Sequence, residues 1–368
     1  MTALAIMVAG IVLAGMMSGC LHTDPAAPDW ISGQSKTYPN ARYLLGIGEG
    51  PTRAVAVERA YAAVAKVFQT TVQARSTDVE SYTSTQQGST EYPVHTLSVE
   101  HEVRLKTNKM LENVTVLEAW QQDDDHYVVL AGLDRHQAER ILLDRLADYD
   151  RSIDQAIHEA RTGATLLKRI RGYRRALRML ADRAMADADL RVVRVDGRGV
   201  PSGYASGQLR KELEALLSER FVVQLALTGE WPTQLKRAIL DGLGQAGLIP
   251  AKIAIAPQKH VNSLPRSVPP ANLRIAGNAR VWDVTMPDPL FRYVRWCAEI
   301  EVSASDAQHL LGAFVRSERE GHITIQEARD RAVRAMQAAV STGLVELFNS
   351  YFFDEVPRGI ATTQACPK

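Results

Sequence analysis

Three groups of residues have the types and spacing to do chemistry. The first is Cys20, which closes the stretch Met17-Ser18-Gly19-Cys20 behind an uncharged apolar run at residues 3–17. That run is shorter than the ~20 residues a membrane-crossing helix needs. It fits the apolar region of a secretory signal peptide. Small residues at 18 and 19 fit a peptidase cleft, and the Cys20 thiol is then the atom that would receive a diacylglycerol. Each buried CH₂ of an acyl chain contributes ~0.8 kcal/mol, and two or more chains hold a protein stably on a bilayer. The second group is Cys297 and Cys366. An oxidising compartment would let them pair and staple the tail to a sheet; two free thiols or intermolecular pairing are the alternatives. The third is Lys168, Arg171, Arg175 and Arg178, which line one face at helical spacing. Such a face could meet anionic headgroups, or it is simply the wet side of an amphipathic helix.

Other constellations lack an essential member. Asp123-Asp124-Asp125-His126 has neither the alternating ligands nor the central glycine of a calcium loop, and reads as a solvated hairpin tip. Glu100-His101-Glu102 lacks a second histidine at zinc spacing. In Gly46-Ile47-Gly48-Glu49-Gly50-Pro51, the proline removes an amide donor and no lysine follows, so phosphate cradling is not expected. Gly-x-Ser-x-Gly does not occur, and the nine histidines include no pair at i, i+4. No cofactor, metal or catalytic residue is therefore expected, and the chain does not read as an enzyme. With 43 basic against 42 acidic residues, the net charge of +1 gives no reason to expect nucleic acid as a partner. Only three cysteines occur, with no Cys-x-x-Cys, so a structural zinc site is not expected either.

The elements that would carry these residues follow from periodicity. Residues 1–19 read as the signal peptide and 20–29 as a lipidated tether. A first module spans 30–134: a strand through Leu44-Leu45, glycines at 46, 48 and 50, and a helix opened by Pro51 and Thr52. Alanines at 54, 56, 60, 62, 63 and 65 would let that helix approach a sheet closely. Residues 71–85 alternate like an exposed strand, 94–108 are ambiguous, and 112–134 read as two strands joined at the acidic turn. Residues 135–195 read as a helical connector, 196–207 as a linker, and 208–356 as a second module with a tail at 357–368. Thr324 and Glu327 stand at capping-box spacing before a closing alanine-rich helix. In the strand around Cys297, Val294, Trp296, Ala298, Ile300 and Val302 share the core face. Cys297 shares the other face with Arg295, Glu299 and Glu301 and is expected to be accessible. The expected class is α+β: two small antiparallel-sheet modules, each packed by an alanine-rich helix, joined by a helical spacer.

Met17-Ser18-Gly19-Cys20 looks like a bacterial lipobox, with Met17 where leucine is commoner. No Lys or Arg precedes the apolar run, which points to an atypical leader or a displaced start codon. Leu21, rather than aspartate, follows Cys20, which points to the outer membrane. Together with Pro28-Asp29-Trp30, the 46–50 glycines and the alanine helix, residues 16–134 resemble the Lpp-twenty-type bacterial lipoproteins, a group that includes flagellar basal-disk lipoproteins. The resemblance implies an outer-membrane, lipid-anchored protein facing the periplasm. It also implies self-association or binding of an envelope partner, the flagellum being one setting. The alternative is a lipoprotein that binds a ligand or activates a cell-wall enzyme through its C-terminal module.

Overall fold

The computed structural model describes residues 27–33, 35–84, 113–123, 125–256, 271–287, 290–304, 309–353 and 366, with side chains of the first helix described as far as Phe68. Cys20, residues 94–108 and most of the 257–272 loop lie outside the described residues. The chain divides into two compact units. Among the described residues the first ends at Glu139 and takes back Val192–Val195, and the second takes Arg140–Arg191 and everything from Asp196.

In the first unit, β1 (Tyr43–Gly50) leads into α1 (Arg53–Ser84), followed by β2 (Thr115–Asp123) and β3 (His126–Asp134). The sheet is antiparallel in the order β1-β3-β2. The glycines of β1 decide how α1 docks. A Cβ on Gly48 would lie 2.2 Å from the Ala56 carbonyl oxygen and from the Ala60 nitrogen, and one on Gly46 would lie 2.5 Å from the Ala60 carbonyl oxygen. Only glycine lets the two backbones meet there, and Ala56, Ala60 and Val64 fill the contact. The strand expected at 71–85 is instead the second half of α1. No glycine or proline interrupts 53–84, so nothing local stops helix propagation.

The other sheet face is covered by the segment before β1. A short 3₁₀ turn at Asp29–Ser32 carries Trp30, which is 2% exposed, against Val128 and Leu130. The Trp30 indole N–H donates to Glu118 Oε2 at 2.5 Å.

The expected helical connector is a pair of helices. α2 (Arg135–Thr162) and α3 (Leu166–Val193) break at Gly163, whose N–H returns to the Glu159 carbonyl. Asp134 caps α2, accepting from the N–H groups of His136 and Gln137. Gly172 abuts Ala156 and Ala160, and Arg183 pairs with Asp150, so the two helices run antiparallel. They do not merely connect. Ile153, Ile157, Leu167 and Ile170 join the same core as the sheet that follows.

α4 (Ser206–Arg220), β4 (Val222–Gly229), α5 (Pro232–Gln245), β5 (Lys252–Ile255), β6 (Leu273–Val284), β7 (Arg292–Ala304), β8 (His309–His322) and α6 (Ile325–Phe353) complete the second unit. The sheet order is β5-β4-β6-β7-β8. It is mixed rather than purely antiparallel, because β4 runs parallel to both β5 and β6. β5 escapes the periodicity reading because it is only four residues long. α6 opens as expected, with the Glu327 N–H donating to Thr324 Oγ1 at 3.4 Å. It lays Ala328, Ala332, Met336 and Val340 into the core. Val294, Trp296, Ala298, Ile300 and Val302 are all buried on the helix side, as their alternation requires. Among the described residues, no helix is long and apolar enough to cross a membrane.

Candidate functional surfaces

Cys297 is 1% exposed, not accessible as the alternation alone implied. The physical reason is a partner from far along the chain. Cys366 is joined to it by a disulfide, with the two Cα atoms 5.8 Å apart. The Cys366 N–H also donates to Glu299 Oε1 at 2.5 Å. The sheet face opposite the helices thus has Cys366 pinned at its middle. The spacing of Cys297 and Cys366 held the signal for this contact, but a strand pattern sees only its own neighbours.

The cationic row on α3 is partly turned inward. Lys168 and Arg178 are exposed, while Arg171 and Arg175 are half-buried. The Arg171 guanidinium lies over the Tyr351 ring at 5.7 Å, and that of Arg178 lies over Phe353 at 4.9 Å. These stacks use the end of α6 as their platform, so the row is not simply a solvated face. Arg174, which sequence reasoning missed, lies deeper. It stacks over Phe352 at 4.6 Å and donates to the Ala246 carbonyl, and burial brings its guanidinium down to about 10. Its alternation with the outer arginines was visible, but the aromatic cluster that receives it lies far along the sequence.

A second buried cation organises the segment expected as a linker. Arg183, 3% exposed, donates to both oxygens of Asp150, at 2.5 and 3.1 Å, and to the carbonyls of Val200 and Pro201. Asp187 accepts from the Val200 N–H at 2.5 Å and from Arg191 at 2.8 Å. A buried arginine with a bidentate carboxylate and two carbonyls has most of its donors satisfied.

In the first unit, a shallow groove of about 530 Å³ runs along the edge strand β2, lined among others by Arg53, Val116, Ala119 and Trp120. The Trp120 indole N–H finds no acceptor among the described residues. The acidic tip between β2 and β3 is a hairpin turn, with the Asp125 N–H donating to Asp123 Oδ1 at 3.2 Å. His126 lies 3.7 Å from Glu49. Among the described residues, no group of three or more His, Cys, Asp or Glu side chains could hold a metal ion.

Comparison with known proteins places one segment. Residues 28–134 match the family model of the LPP20 lipoproteins. No curated protein matches significantly. Among solved structures, the secreted protein HP1454 of Helicobacter pylori is 10% identical, with a TM-score of 0.38 over 82% of this chain and 97% of that one. A minor lipoprotein of Acinetobacter baumannii is 8% identical, with a TM-score of 0.22 over 37% of this chain and 97% of that one. A PelC dodecamer of Paraburkholderia phytofirmans is 15% identical, with a TM-score of 0.21 over 38% of this chain and 90% of that one. The matched segment, Pro28 to Asp134, comprises the Trp30 turn, β1, α1, β2 and β3, and it is this part of the chain that is similar to the LPP20 lipoproteins.

Proposed function

We propose that the protein is a lipid-anchored, non-enzymatic structural or assembly component of the bacterial outer membrane, acting by self-association or by binding an envelope partner. The observation that carries this reading is the adjacency of the lipobox-like Met17–Cys20 to a lipoprotein-family module beginning at Pro28. Acyl chains on Cys20, palmitate among them, would hold the folded part at one surface. Tethering raises the effective concentration of copies and partners there without any new contact. A flagellar setting follows only from the resemblance of the first module.

The test is a Cys20→Ser variant followed by envelope fractionation and intact-mass measurement. The expected result is a native protein heavier than its bare polypeptide that sediments with outer membranes, and a variant that does neither. A native mass equal to the polypeptide overturns the anchor. Light scattering on the chain from Leu21 onward, which keeps every described element, reads self-association separately.

A further inference from the structure

We draw no further inference here: the strongest candidate, the shallow groove along the outer edge of β2 that Arg53, Trp120 and Tyr127 help to line, is a strand edge for which nothing among the described residues shows what covers it.

Discussion

The two sheets solve the same problem differently. Each has one face packed by an alanine-rich helix, α1 on the first and α6 on the second. In the first, the opposite face is closed by a short preceding segment whose Trp30 is hydrogen-bonded to Glu118. In the second, the opposite face keeps most of its polar side chains and is fastened at one point, Cys297 to Cys366. The helix contacts differ too. A Cβ on Gly48 would strike backbone atoms of α1, whereas the nearest atoms to one on Gly343 of α6 are those of the Phe314 ring, at 2.7 Å. Backbone-on-backbone docking tolerates nothing, while a ring can turn. The helix on the first sheet is therefore seated by close main-chain approach and the helix on the second sheet by side-chain volume, the second unit keeping its own backbone contact at Gly172, between α2 and α3.

That contrast can be broken by experiment. Cys297→Ser removes a bond closing a sequence separation of 69 residues, which should lower the stability of the second unit by about 4 kcal/mol on the chain-entropy account. Chemical denaturation followed by a probe in each unit should show the first unit unmoved. Gly48→Ala should cost about 3 kcal/mol in the first unit, and Gly343→Ala only about 1 kcal/mol in the second, because only the first forces backbones apart. Equal costs in paired calorimetric scans would erase the distinction. Trp30→Phe, which keeps a ring but removes the indole donor to Glu118, should cost about 2 kcal/mol in the first unit.

Acid sharpens the comparison with the smallest effect. Burial pushes the Asp189 carboxyl up to about 6, with Arg145 drawing it partly back. As pH falls through about 6, the folded second unit takes up a proton that the unfolded chain, with its ordinary aspartate, takes up only lower, so this group adds stability on acidification. Asp134 in the first unit behaves oppositely. Burial raises it, but the Gln137 N–H, Arg42 and the His136 N–H together hold it below its ordinary value. Its contribution is present above the unfolded pKa and is lost as pH falls through the folded one. Comparing melting temperatures of the native chain and Asp189→Asn between pH about 7 and 5 should show the native chain gaining relative to the variant.

Local patterns were legible and distant ones were not. The alternation through residues 292–304 placed Trp296 and Ile300 in the core, and the Thr324–Glu327 spacing marked the start of α6. The alanines of the first helix read correctly as a face that approaches a sheet closely, Ala56 and Ala60 meeting Gly48 and Gly46. What failed depended on partners far along the chain. Alternation put Cys297 on an open face and could not see Cys366 arrive over it. The arginines of α3 read as an anion-facing or a wet face, and neither reading contained their ring contacts, because Tyr351, Phe352 and Phe353 lie at the far end of another helix. The alternation at residues 71–85 suggested a strand, but an uninterrupted helix continues through it as far as Ser84.

The clamp at Arg183 has one more implication. Residues 196–203 carry three glycines, a proline and a serine, and by composition they invite a protease. The main chain at Val200 and Pro201 is instead gripped by a side chain sealed inside the helical hairpin. An endopeptidase must have several residues peeled free before it can cut, so nicking should be slow there. Once nicked, the pieces on either side of the break would still migrate together until a denaturant opened the core that α2 and α3 share with α4 and the second sheet.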